Sequence, residues 1–132
     1  MANTRFHGAW RLISIDAKDS DGSALEPFGP GPVGIIAFDA SGAFSVQVGA
    51  RDGSVGTQVA FFGTLEAPDG VEGTLVLHPE GASVGRLLTD QPRHFRFLSE
   101  DDLILTPPPR PDAAPGSGIA ATTQLHWRRI RA

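Results

Sequence analysis

The chain has 132 residues and no cysteine, long enough for one domain over residues 1–132 with its own core, and without the thiols that disulfides or thiolate metal sites require. Its formal charge of -4, with no stripe of Lys and Arg to offset it, argues against nucleic acid as a partner. Met1 to Arg5 are polar with no apolar segment behind them, so neither a secretory signal nor a membrane span is expected, and the expected location is the cytoplasm.

The first strand is predicted over His7 to Ala17. Trp10, Leu12 and Ser14 share one side of its pleat, and Arg11, Ile13 and Ile15 share the other. Both sides are partly apolar, so this strand alone does not name its inner face. Asp19-Ser20-Asp21-Gly22 is a turn. Leu25 to Pro32 carries too much proline for a helix or a central strand. It reads as a stiff loop, either a plain spacer or a flap over a barrel mouth with Phe28 facing inward. Val33–Phe38 is a second strand, Asp39–Gly42 a hairpin turn, and Ala43–Val48 a third strand. Here the alternation is clean, with Phe44, Val46 and Val48 on one face and Ser45 and Gln47 on the other. The polar pair faces water in an ordinary sandwich and lines the cavity in one kind of ligand-binding barrel.

Gly49–Gln58 is a polar connection. Val59–Glu66 is a fourth strand, and Gly63 inside it suggests a bulge of the kind barrels use to turn corners. Pro68-Asp69-Gly70 is a turn, Thr74–His78 a fifth strand ended by Pro79, and Glu80–Gly85 a loop. The sixth strand is predicted over Arg93–Leu98, with Arg93, Phe95 and Phe97 on one side and His94 and Arg96 on the other. Ser99–Asp102 turns into a seventh strand at Leu103–Leu105. Pro107–Gly118 is a second proline-rich loop, too long for a compact domain unless it is a lid or disordered. Thr122–Arg128 is the eighth strand.

The 16 glycines and 11 prolines therefore punctuate short strands rather than mark disorder, and no helical period of useful length appears. Eight short strands joined in order describe an all-β, antiparallel up-and-down barrel with room inside for side chains or one small ligand. Trp10 and Trp127, the only tryptophans, lie in the first and last strands. If those strands pair, the sheet closes, and an indole beside a guanidinium plugs one end. Lys18 is the only lysine among the basic residues, the rest being arginine. With the many Ala, Gly and Pro, that bias suggests a GC-rich bacterial genome.

Over nearly its full length the chain resembles the lipocalin-like domain family. The likeness rests on Gly8-Ala9-Trp10-Arg11-Leu12-Ile13-Ser14, Pro27-Phe28-Gly29-Pro30, Ser45-Val46-Gln47 and Phe62-Gly63-Thr64. It continues through His78, Thr89-Asp90-Gln91 with Arg93 and Phe95, and Leu125-x-Trp127. The resemblance implies a calycin-type lipocalin-like barrel with a cavity open at one end, in a family often associated with polyketide or other specialised metabolism. Relatives tend to carry tyrosines around the Phe-Gly-Thr strand; this chain has no Tyr, so no phenol is available as an acid or donor.

No phosphate-cradling loop is present, since Gly29-x-Gly31 lies among prolines and opens no helix. His78 and Glu80 offer two metal ligands, with His94 or His126 as a third, but no close histidine pair accompanies them, and neither metal nor cofactor is expected. His94 and His126 read as surface or rim residues. The polar positions expected inside are Gln47, Thr64, His78 and Arg93. Either they meet carbonyl or hydroxyl groups of an apolar guest, or they bond to one another and to main chain and hold the barrel shut. Trp10, Phe28, Phe44, Phe62, Phe95 and Trp127 are the expected ligand-binding walls. Two functions fit this set. One is a cofactor-independent cyclase or isomerase that folds a polyketide-like substrate until its ends react, with His78 and Arg93 as catalytic donors. The other is a non-catalytic carrier or sensor of a hydrophobic metabolite. A structural or partner-binding barrel with a filled interior is a third. Monomer and homodimer are both compatible with an edge-free barrel.

Overall fold

Short apolar stretches cut by Gly, Pro and Asp can satisfy their backbone groups only by pairing with one another, and a closed ring of strands leaves no edge unpaired. The structure, a computed structural model, describes residues 3–53, 58–114, 116–117 and 119–131. Its strands are β1 (Gly8–Lys18), β2 (Ala24–Leu25), β3 (Val33–Phe38), β4 (Ala43–Gly49), β5 (Val59–Glu66), β6 (Glu72–Ala82), β7 (Gln91–Phe97), β8 (Asp102–Thr106) and β9 (Thr122–Arg129). They pair in chain order, all antiparallel, and β9 returns to β1. The result is the expected up-and-down barrel. Strand β2 is a two-residue addition that pairs with the end of β1, Ala17↔Leu25 and Lys18↔Ala24. Among the described residues no helix is long and apolar enough to cross a membrane.

A bulge explains the ambiguity of β1. Leu12 pairs with Trp127 and Ser14 with His126, so Ile13 is an extra residue. Trp10 and Leu12 face the core before it; Ile15 packs on the core and Ala17 is buried after it, while Ile13 is exposed. One residue thus switches the phase of the strand, which is why both sides read as partly apolar. A second irregularity separates Phe62↔Gly81 from Gly63↔Pro79, leaving Glu80 as the extra residue. The bulge expected at Gly63 is therefore present. A side chain at Gly63 would collide with the His78 carbonyl and lie 2.9 Å from the Pro79 Cα.

Several strand ends differ from expectation, two of them at prolines. β6 continues through Pro79 to Ala82, because β7 pairing stops at Leu77↔Gln91 and the bulge interrupts the other ladder there, so the missing proline N–H costs little. β7 begins at Gln91, ahead of Pro92, where β8 has not yet joined. Within the expected Gly49–Gln58 connection, residues 54–57 lie outside the described residues, as do 115 and 118 in the second proline-rich loop.

The two ends of the barrel are built differently. At the base, the turns 39–42, 67–71 and 98–101 are tight. A 3-10 turn, Thr4–Phe6, crosses beneath and inserts Phe6, fully buried, edge-on to Phe38, Phe95 and Phe97 at centroid distances of 5.3, 5.0 and 4.9 Å. Asn3 anchors this turn by donating to the carbonyls of Pro68 and Gly70, both at 2.9 Å. The Trp10 Nε1–H donates to the Phe6 carbonyl at 3.0 Å, and the Arg129 guanidinium lies 4.2 Å from the centre of the Trp10 ring. The expected indole–guanidinium plug is this pair. At the mouth the connections 19–32, 50–58, 83–90 and 107–121 are long.

Candidate binding site in the barrel mouth

Aromatic side chains fill the lower half of the barrel; the upper half keeps a cavity of about 130 Å³. Its walls are the inward positions of successive strands: Ile36 of β3, Val46 and Val48 of β4, Val59 and Phe61 of β5, and Leu77 of β6. Leu105, Leu125 and Trp127 complete the ring. Phe28 from the first proline-rich loop and Pro107 from the second close the neck. Phe28 faces inward and packs against the core, as the flap reading expected.

Among the described residues, Arg93 is the only charged side chain in this wall. β7 carries Arg93, Phe95 and Phe97 on one side, and the burial of Phe95 among the base aromatics turns that whole side inward. The Arg93 Nη1 donates to the Pro92 carbonyl at 2.8 Å and Nη2 to the Gln91 Oε1 at 3.3 Å. Gln91 is itself held by donating to the Thr89 carbonyl at 3.1 Å. Burial pushes the Arg93 pKa down to about 10, and no carboxylate opposes that effect. The group remains protonated at neutral pH. Trp127 is 1% exposed, and its Nε1–H has no hydrogen-bond partner among the described residues. Such an orphan donor costs about 1–3 kcal/mol if nothing fills the role.

The structure divides the candidate residues into three groups. Phe28, Arg93 and Trp127 line the cavity. Trp10, Phe44 and Phe95 point inward but are packed below it, Phe44 edge-on to Phe61 at 5.6 Å. Gln47, Phe62, Thr64 and His78 were expected inside and lie on the outer face instead. On β4 the apolar set Phe44, Val46 and Val48 takes the core, which turns Gln47 to solvent, where its Nε2 donates to Ser45 Oγ at 3.2 Å. Phe62 is 54% exposed, its ring laid over the bare backbone of Gly81 across the strand. Thr64 pairs with His78 in register, and both project outward. Desolvating these polar groups would gain nothing while apolar side chains were available for the interior.

His78 sits between two carboxylates, with Nδ1 2.9 Å from Asp90 Oδ1 and Nε2 3.7 Å from Glu66 Oε1. The Asp90 hydrogen bond raises its pKa above the ordinary 6.5. His94 pairs with Glu72 at 3.0 Å and His126 with Asp102 at 2.8 Å, so the three histidines serve separate acids on separate strands. Among the described residues no group of three His, Asp or Glu is placed to hold a metal ion.

The residues missed by sequence reading are the aliphatic walls, Val46, Val48, Val59 and Leu77 among them. The signal was the alternation of β4: once its apolar face is taken as inner, the walls follow. A larger cleft of about 610 Å³ lies outside the base, lined by Thr4, Arg5, Val71, Leu98, Glu100 and Arg131 among others. It is an open groove over turns, and its Arg131 is already engaged by Asp101. The interior cavity, though smaller, is the one with almost wholly apolar walls and a buried donor left over.

Residues 7–58 match the model of the lipocalin-like domain family, in agreement with the resemblance read from the sequence. The chain is similar in structure to a redesigned β-barrel at 12% identity, with a TM-score of 0.51 over 97% of this chain and 94% of that one. It also aligns with a de novo designed fluorescence-activating β-barrel at 15% identity, with a TM-score of 0.49 over 98% and 100% of the two chains. The redesigned barrel speaks for the fold alone. No curated protein matches the chain in sequence.

Proposed function

We propose that this lipocalin-like barrel binds a small, mostly apolar molecule beneath Phe28, with an oxygen of that molecule accepting from Arg93. The observation that carries the reading is one guanidinium set in an otherwise uncharged, largely apolar wall. Size limits the guest. A cavity of about 130 Å³ falls below the range typical of drug-sized ligands. It is close to the roughly 150 Å³ engineered cavity that takes up benzene. Titration of the isotope-labelled protein with benzyl alcohol tests this. Shifts concentrated at Val46, Phe61, Leu77 and Leu105 are expected. Shifts confined to the outer groove around Leu98 and Arg131 would refute it.

A cyclase or isomerase acting on a polyketide-like substrate in specialised metabolism is the second reading. It is favoured by a charged donor facing an apolar wall, which would polarise a carbonyl while the walls hold two reactive ends together. With His78 outside, Arg93 acts alone. A polyketide-like chain also requires Phe28 and its loop to swing out of the neck. Metabolite profiling of the source organism with and without the gene separates the readings. An uncyclised isomer of unchanged mass, accumulating without the gene, supports the enzyme; the same products in altered amounts support a carrier.

A further inference from the structure

We propose that the molecule held in the barrel is a small monocarboxylic acid, bound as its anion with the carboxylate on the Arg93 guanidinium. This rests on the interior cavity being the binding site. Three observations lead to it. Arg93 carries five N–H donors and, among the described residues, meets only neutral acceptors, the Pro92 carbonyl and Gln91 Oε1. The other polar side chain of the wall, Trp127, brings a second donor with no partner. Among the described residues, no lining side chain offers an acceptor.

The cavity is therefore polarised in one sense. A guest rich in acceptors satisfies it, whereas an alcohol, amide or amine brings N–H or O–H groups that the wall side chains cannot accept. A carboxylate is all acceptor, matches the guanidinium fork with two parallel hydrogen bonds, and supplies the counter-charge that the chain does not. The single cation limits the guest to one negative charge, since a dianion such as a phosphate monoester would bury a charge without a partner. The small volume and the aliphatic and aromatic walls then call for a compact hydrocarbon body.

The test is a titration of the full ¹⁵N-labelled chain at pH 7 with two matched pairs, benzoate against benzyl alcohol and hexanoate against hexanol. Each acid should bind at least about tenfold more tightly than its alcohol. The Trp127 indole and Arg93 Nε–H signals should move. The Trp10 indole, already bonded to the Phe6 carbonyl, should stay. Arg93→Met should abolish the preference for the acids while keeping the alcohols. Arg93→Lys, which retains the charge without the fork, should keep the preference in weaker form.

Equal affinity for acid and alcohol, or a preference that survives in Arg93→Met, would overturn the carboxylate assignment and leave the cavity as a neutral binding site. If neither member of either pair moves the cavity signals, both the assignment and the binding reading fail. Should Arg93→Met not fold, the wild-type Arg93 Nε–H shift reads the same contact, and its absence under saturating benzoate counts against the proposal.

Discussion

Replacing Arg129 by methionine should unlock the base of the barrel. The side chain is 14% exposed. It donates from Nη1 to the His7 carbonyl at 2.6 Å, from Nη2 to the Arg5 carbonyl at 2.8 Å, and from Nε and Nη2 to the Glu100 carbonyl at 3.2 and 3.1 Å. It also lies over the Trp10 ring. One side chain thus ties the N-terminal turn, the 98–101 turn and β9 together. Hydrogen bonds from a charged donor contribute about 1.5–3 kcal/mol each, and the low end applies where the freed carbonyl regains water. The stacked cation adds about 1–2 kcal/mol at a mostly buried site. Against this, methionine is released from ordering a long side chain, worth up to about 2 kcal/mol. Counted at the low end, once for each of the three carbonyls, the net loss expected is about 4 kcal/mol, a large part of the 5–15 kcal/mol usual for a whole domain. Urea unfolding followed by tryptophan fluorescence measures it. Arg129→Lys should lose roughly half as much, since an ammonium keeps the charge over the indole but cannot span three carbonyls. A methionine variant within about 1 kcal/mol of wild type, or a lysine variant indistinguishable from it, would refute the clasp.

Gly63→Ala should be costly although it adds one methyl group. The atoms it meets, the His78 carbonyl and the Pro79 Cα, are backbone, so about 3 kcal/mol in chemical denaturation is expected, at the upper end of overpacking. A loss below about 1 kcal/mol would show that β5 can slide away from the bulge. Phe28→Ala should leave stability nearly unchanged and speed both entry and release of benzyl alcohol by about tenfold or more, read from NMR line shapes; unaltered rates would mean that the guest does not pass the neck there. His78 should make the 83–90 loop sensitive to pH. Its folded pKa is raised above 6.5 by Asp90, so the contribution is complete below pH 6.5 and disappears as pH rises through the folded value. Amide exchange near Asp90 should accelerate as pH rises above 6.5, beyond the intrinsic pH effect, and His78→Gln should abolish the excess.

The sequence made the architecture legible because its signals were local. Gly and Pro marked the ends of strands, Asp39–Gly42 named a hairpin, and the two tryptophans pointed to the seam. The inner face was harder to read, because alternation gives a period of two without a sign. On β7 the sign could be read, since Phe95 and Phe97 accompany Arg93 and carry it inward. On β5 and β6 it could not, because each strand mixes types on both faces and each is bent by the same bulge. Phe62 is the instructive case. An aromatic ring suggested a wall, yet its partner across the strand is Gly81, whose missing side chain leaves a slot that the ring covers from outside. Nothing within β5 itself reveals that partner.

The contrast between base and mouth bears on what the cavity can admit. β1 pairs with β3 only from Gly8↔Phe38 to Arg11↔Ile35, and β7 with β8 only from Phe97↔Leu103 to His94↔Thr106. Both ladders therefore stop short of the mouth, on either side of the wall that holds Trp127. Phe28 and Pro107, the two residues over the neck, hang from the loops next to those partings. Moving them breaks few backbone hydrogen bonds, whereas any change at the base must disturb Phe6, its three aromatic neighbours and the Arg129 clasp. Local opening takes the lowest free-energy route, so expansion belongs at the mouth. A cavity of about 130 Å³ at rest can then grow towards solvent without loss of the fold. Shape would discriminate weakly between guests in such a site. The charge of Arg93, fixed on a paired strand whose other inward side chains are locked in the core, would discriminate strongly.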